Sequence, residues 1–282
     1  MYIEPEKIQT KISEQDMDEY ERRVLQILVD FDAFLKSKGI KYSLDGGTLL
    51  GAIRHNGFIP WDDDIDIALS REEFLKLLKV VDEFNSDEYE VCKPTDDSPL
   101  AIARMIKIYD KRTCTKEFGE RCYAGAFIDV FSRIDVKDEV HKEKQSGYYR
   151  LLTSLLMCKN ERHEDGVYKT KSGKIVKLFS HICGKKWLKK RIERQYEAAY
   201  SGDYCFSSFG NNKYYRKALT DEYAEHIFEG RMFPIITRYD EFLSTLYGNY
   251  MELPPEDKRN PHHLEYLNLH ESYVEKNKQG VK

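Results

Sequence analysis

The sequence predicts an α/β fold of the α+β kind, a mixed sheet flanked by helices with a helical insertion or appendage. Strand-like and helix-like patterns alternate up to about residue 132, and residues 136–200 then read as mainly helical. No fixed-period repeat and no Gly/Ser- or Pro-rich linker divides the chain, so its 282 residues read as one core with an insertion, although about 150 residues per domain would allow two. The expected division is a core of residues 1–135 with 201–262, a basic helical insertion over 136–200, and a C-terminal tail over 263–282.

The elements follow in order. Residues 14–38 form an amphipathic helix, because Val24, Leu25, Leu28, Phe31 and Leu35 recur at three- and four-residue steps, and Gly39 stops it. A short strand over 40–44 runs into Asp45-Gly46-Gly47-Thr48 and a short helix ending near Gly57. Phe58-Ile59-Pro60-Trp61 leads to the acidic run Asp62-Asp63-Asp64-Ile65-Asp66-Ile67-Ala68-Leu69, read as a strand from Asp64. Ser70 with Glu73 three residues on is a capping box, opening a helix through Phe84. Further strands are expected at 88–93, 101–109 and 125–131, with a late strand near 227–233 and a helix at 239–247.

Composition excludes several classes. With 14 Phe, 20 Tyr and 2 Trp against 16 Gly and 8 Pro, the chain is neither disordered nor collagen-like. Forty-five basic and 49 acidic residues leave a net charge of −4, which argues against a nucleic-acid partner. The cysteines at 92, 114, 122, 158, 183 and 205 are scattered without a C-x-x-C pair, so neither a zinc site nor a disulfide framework is expected. Residues 1–11 lack the apolar run of a signal peptide or anchor, and nowhere do about 18 apolar residues follow one another. The expected location is the cytoplasm, with room for a peripheral role at the inner face of the membrane.

Chemistry concentrates in the acidic run. Alternate strand residues share a face, so Asp64 and Asp66 project together, while Ile65 and Ile67 face the core. Two carboxylates set together can hold a divalent ion, leaving other positions to water and phosphate oxygens. A merely solvated acidic loop would not alternate Asp with Ile. A calcium loop fits Asp62, Asp64, Asp66 and Glu73 in spacing, but it requires glycine where Ile67 stands. Upstream, Gly46, Gly47 and Thr48 sit at a strand-to-helix junction, where backbone N–H groups and a helix N-terminus favour phosphate. Arg54 is a candidate for bidentate contact with diphosphate, against a plain role as a helix C-terminal cation. Lys107 is a candidate phosphate ligand, against a solvated edge lysine. His55 and Trp61 are candidate substrate contacts, Trp61 as one wall of a cage for a quaternary ammonium group. His262 and His263 read as surface or acceptor-side residues.

The segment from Leu44-Asp45-Gly46-Gly47-Thr48-Leu49-Leu50-Gly51-Ala52-Ile53-Arg54-His55 through Trp61-Asp62-Asp63-Asp64-Ile65-Asp66-Ile67 closely resembles the LicD family. These are phosphocholine-type transferases of the nucleotidyltransferase superfamily, related to fukutin-like ribitol-phosphate transferases. Phe127-Ile128-Asp129-Val130-Phe131, Phe228-Glu229-Gly230 and Leu246-Tyr247-Gly248-Asn249-Tyr250-Met251 with Pro254-Pro255 extend the similarity over about residues 40–262. The resemblance implies a nucleotidyltransferase-like core that binds a CDP-linked alcohol such as CDP-choline. It implies transfer of the phosphoalcohol to a sugar hydroxyl of a glycan or lipid-linked glycan acceptor, releasing CMP. Asp64 and Asp66 match the family's metal-binding pair, for Mg²⁺ or Mn²⁺, and Asp129 its third carboxylate. Asp129 would either ligate a metal ion or take the acceptor hydroxyl's proton. A nucleotide-sugar glycosyltransferase, a nucleotidyltransferase acting on a small molecule and an inactive nucleotide-binding module are the competing readings.

One segment stands outside this site. Residues 166–194 carry ten Lys or Arg (169, 171, 174, 177, 185, 186, 189, 190, 191 and 194) against Glu193, whereas residues 60–90 carry eleven acids against three bases. Ile175, Val176, Phe179, Ile182 and Cys183 fall on one helical face, and Trp187 follows. The pattern fits a membrane-surface contact through 174–191, weighed against a helix whose apolar face packs on the core.

Overall fold

A computed structural model describes residues 12–160, 171–209, 213–259 and 264–279. Residues 1–11, Lys169 of the basic stretch, His262 and His263 lie outside the described residues.

Helix α1 (Glu14–Ser37) starts at Ser13, whose hydroxyl accepts from the Asp16 N–H while the Asp16 carboxylate accepts from the Ser13 N–H. Its apolar positions bury Tyr20, Val24, Ile27, Leu28, Phe31 and Leu35, and Gly39 follows at φ +64°. Strand β1 (Ser43–Leu44), helix α2 (Gly46–His55), strand β2 (Asp66–Leu69) and helix α3 (Arg71–Val80) come next. Strands β3 (Tyr89–Cys92), β4 (Ile106–Asp110), β5 (Cys114–Glu117) and β6 (Phe127–Asp135) lead to helices α4 (Lys142–Lys159), α5 (Lys171–Ile182) and α6 (Lys185–Glu197). The chain continues through β7 (Tyr204–Ser207), β8 (Tyr214–Arg216), β9 (Tyr223–Phe228), β10 (Arg231–Ile236), α7 (Tyr239–Tyr247), β11 (Leu264–Asn268) and α8 (Tyr273–Gln279).

The main sheet has the order β1-β2-β6-β4-β3, with β7 pairing the far end of β6 and β8 pairing β7. Strands β2 and β6 run parallel, and the other pairs are antiparallel. The sheet is therefore mixed, as expected. On one face Ile67, Ile106, Ile108, Ile128 and Val130 enter the core together with the apolar side of α1. Helices α4 and α6 add Tyr149, Leu152, Leu156, Leu188, Ile192 and Tyr196 to the same core. The opposite face carries the polar row described below.

Several sequence expectations need correction. Strand β2 begins at Asp66 rather than Asp64; the Asp129 N–H donating to the Ile65 carbonyl (2.9 Å) is the first bond of its parallel pairing with β6. Ser70 caps α3 through the Glu73 N–H (3.3 Å), but Glu73 does not complete a box; its carboxylate accepts from the Lys41 N–H (3.0 Å) and pairs with Lys76. Helix α2 stops at His55, where Asn56 takes a left-handed conformation. The 101–109 strand is confined to β4. The late strand at 227–233 straddles a turn at Glu229 and Gly230, both at positive φ, that joins hairpin strands β9 and β10. Lys107 is no edge lysine: β4 lies between β6 and β3, and the residue is 2% exposed. The apolar residues of α5 divide. Val176 and Cys183 pack on the core, whereas Ile175, Leu178, Phe179 and Ile182 face outward.

None of the six cysteines, all among the described residues, is in a disulfide. Among the described residues, no helix is long and apolar enough to cross a membrane.

Candidate active site

Register assembles the site. Asp66 of β2 is the direct partner of Asp129 on β6, and Asp129 is the direct partner of Lys107 on β4. Direct partners project to the same side of a sheet, so the three side chains form one row across three strands. Asp64, two residues before Asp66, joins them. One carboxylate oxygen from each of Asp64, Asp66 and Asp129 lies within 4.8 Å of the other two. The Lys107 ammonium lies 3.0 Å from Asp129 Oδ1, 4.0 Å from Glu117, and 3.2 Å from the centroid of the Phe127 ring.

The glycine turn closes over this row. The Asp45 N–H donates to the Asp66 carbonyl (3.0 Å), and the Asp66 N–H donates to Thr48 Oγ1 (2.7 Å), so the first turn of α2 is tied to the start of β2. Gly46 sits at φ +53°, and a β-carbon there would lie 2.8 Å from Asp66 Oδ2. One on Gly47 would lie 2.5 Å from Asp62 Oδ2. Glycine at both positions lets the backbone approach the carboxylates more closely than any side chain permits. Buried Asp45 has Arg133 at 4.0 Å, and Arg133 also donates to Ser43 Oγ (2.8 Å) and the Ala68 carbonyl (3.3 Å).

Electrostatics follow from the crowding. Burial, then Asp66 and the other neighbouring carboxylates, raise the Asp64 carboxyl well above its usual range. Burial and then Asp129 do the same for Asp66, with Lys107 opposing. The donor set fits a hard divalent cation: three carboxylates, with no thiol or imidazole among them.

Arg54, His55 and Trp61 form a group of their own. Arg54 Nη1 donates to the Tyr250 carbonyl (2.8 Å), and its Nε donates to His55 Nε2 (2.9 Å). Trp61 meets the His55 ring edge-on at 6.4 Å and carries the Arg259 guanidinium 4.9 Å from its centroid. Residue-by-residue reading missed Arg133, Arg259 and Tyr247. Tyr247 is about half exposed, yet burial around its hydroxyl, followed by Asp66, Asp45, Asp62 and Asp64, pushes that hydroxyl up. The Leu246–Met251 stretch was the available signal for it.

A family profile described as LicD/FKTN/FKRP, nucleotidyltransferase domain, matches residues 39–151. The lipopolysaccharide cholinephosphotransferase LicD of Haemophilus influenzae is 33% identical over 257 residues, covering 86% of this chain and 93% of the relative. Ribitol 5-phosphate transferase FKRP of Homo sapiens and Mus musculus is 49% identical over 39 residues, 14% of this chain and 8% of each relative. The sheet, its carboxylate row and these relatives define the class first: an enzyme that transfers substituted phosphate groups. Within that class, the chain belongs to the LicD family.

Proposed function

We propose that the enzyme moves a phosphoalcohol group, phosphocholine-like, from a CDP-activated donor such as CDP-choline to a sugar hydroxyl of a cell-surface glycan or glycolipid precursor, releasing CMP. The observation that carries this reading is the convergence of Asp64, Asp66 and Asp129 within 4.8 Å, directly beneath the Gly46–Gly47 turn. The names of the relatives support the group transferred: one carries choline phosphate to lipopolysaccharide, the other ribitol 5-phosphate.

In this reading the acceptor oxygen forms a bond to the phosphorus that bears the alcohol. The bond from that phosphorus to the bridging diphosphate oxygen breaks, its electron pair leaves with CMP, and the hydroxyl proton passes to a carboxylate of the same face. Asp64, Asp66 and Asp129 would hold Mg²⁺ or Mn²⁺, which when bound supplies positive charge against the diphosphate. The α2 N-terminus and the side-chain-free Gly46 and Gly47 admit phosphate oxygens to backbone N–H groups. Lys107 holds Asp129 in its place in the row. Arg54, His55 and Trp61, adjoining the row in sequence, are assigned to the donor's remaining groups.

The test is product release. The protein is incubated with Mg²⁺, a lipid-linked glycan acceptor and, in turn, CDP-alcohols, UDP-sugars and nucleoside triphosphates. CMP release from a CDP-alcohol is expected, falling by about 10²-fold or more in Asp64→Asn and Asp66→Asn, the scale on which a charge-stabilising group acts. UDP or pyrophosphate release instead would replace this reading with a glycosyltransferase or a nucleotidyltransferase.

A further inference from the structure

The α5–α6 segment leaves an apolar stripe uncovered. Ile175, Leu178, Phe179 and Ile182 are 55%, 63%, 52% and 75% exposed, and Trp187, early in α6, is 46% exposed. Their positions at i, i+3, i+4 and i+7 place the four α5 residues on one face of the helix. The core side of α5 is a different stripe, on which Val176, Ser180 and Cys183 are buried or half-buried. Helix α6 turns Leu188, Ile192 and Tyr196 inward. The segment is thus anchored without using its outward apolar residues.

Charge names the occupant. Residues 171–194 contain nine Lys or Arg and a single acid, Glu193. Lys174, Lys186, Lys190 and Arg194 are exposed. Lys185 and Lys189 instead pair with Asp97 at 2.7 and 2.8 Å, fixing α6 to the loop after β3. A second copy of the chain would bring like charges together over the same stripe. An anionic bilayer offers both the apolar phase and the opposite charge.

We propose that the outward face of α5 with Trp187 is a docking surface for an anionic lipid bilayer, the apolar residues entering the interface and Lys174, Lys186 and Lys190 meeting the headgroups. The inference does not depend on the transferase reading, because vesicle flotation needs no substrate. The intact protein is floated with vesicles of phosphatidylcholine alone or an equimolar mixture with phosphatidylglycerol, at low and high salt. Binding to the anionic vesicles alone, weakened by salt, is expected. The triple variant Lys174→Gln, Lys186→Gln, Lys190→Gln should bind on the order of a hundredfold more weakly. Phe179→Ser with Ile182→Ser should lose binding while keeping a Tm near that of the wild type, since more than half of each residue is already in solvent. Equal flotation with both vesicle types, or none with either, overturns the proposal. So does concentration-dependent dimerisation in sedimentation velocity that the Phe179/Ile182 variant loses, because the stripe would then belong to a second copy.

Discussion

Thr48 lies in the first turn of α2, yet its hydroxyl accepts from the Asp66 N–H across the turn at 2.7 Å. The residue is 3% exposed, so no water is at hand to replace that acceptor. Thr48→Val keeps the shape and leaves a buried donor unmatched, a change worth about 1–3 kcal/mol. Denaturant unfolding should register that loss, and CMP release should fall with it because the start of β2 carries Asp66; an unchanged midpoint and rate would remove Thr48 from the site's framework. The sequence singled out Thr48 for phosphate, on its position after two glycines. Lys107 was harder to read. Its neighbours Ile106 and Ile108 mark a strand, but only the pairing of β4 with β6 sets its ammonium 3.0 Å from Asp129.

At the scale of elements, the loop that delivers the acidic run is clamped by a distant hairpin. Glu229, at φ +50° in the β9–β10 turn, accepts the Phe58 N–H on its carboxylate (3.0 Å) and donates its own N–H to the Asn56 carbonyl (2.9 Å). A β-carbon on Gly57 would lie 1.9 Å from Glu229 Oε1, so the clamp closes only over glycine. Gly57→Ala and Glu229→Ala should each cost about 1–3 kcal/mol. Their double variant should cost less than the sum, since both break one contact; additive losses in a denaturant double-mutant cycle would refute the clamp. Periodicity found α1 and α7 because each buries one stripe along its length. It misplaced the 227–233 strand because the apolar pairs Ile227-Phe228 and Met232-Phe233 flank the turn on both sides, and it passed over Gly230, the local mark of that turn. It found no strand at β5, β7 or β8, which are three or four residues long; β5 and β7 owe their pairing to β11 and β6, far along the chain, and β8 is held through β7.

For the molecule as a whole, the carboxylate row is a cost to stability that a bound cation would relieve. Three carboxylates within 4.8 Å repel one another, and burial adds to the cost of keeping Asp64 and Asp66 charged. With a chelator present, Asp66→Asn should therefore melt at a higher temperature than the wild type. With Mg²⁺ or Mn²⁺ at a hundredfold excess over Kd, the wild type should gain about 2.7 kcal/mol, several degrees in Tm for a chain of this size, and the variant little. Calorimetry that finds the same metal-induced shift in both proteins would place the ion elsewhere.

The long amphipathic helices, the glycine turn and the Asp-x-Asp pattern were determined by the sequence alone, because each rests on residues within a few positions of one another. The family was legible for the same reason: its most specific motif is a continuous stretch from Leu44 to Ile67. Tertiary structure decided the rest. Asp129 stands more than sixty residues from Asp66 and reaches it only because β2 and β6 pair in parallel register. The outward face of α5 was likewise undecided in the sequence, where one apolar set served equally for a core or a membrane. Packing of Val176, Ser180 and Cys183 against the body of the protein settled which side of the helix was left over. Local chemistry is written along the chain, whereas partnership across strands and the choice between two faces of one helix are properties of the packed whole.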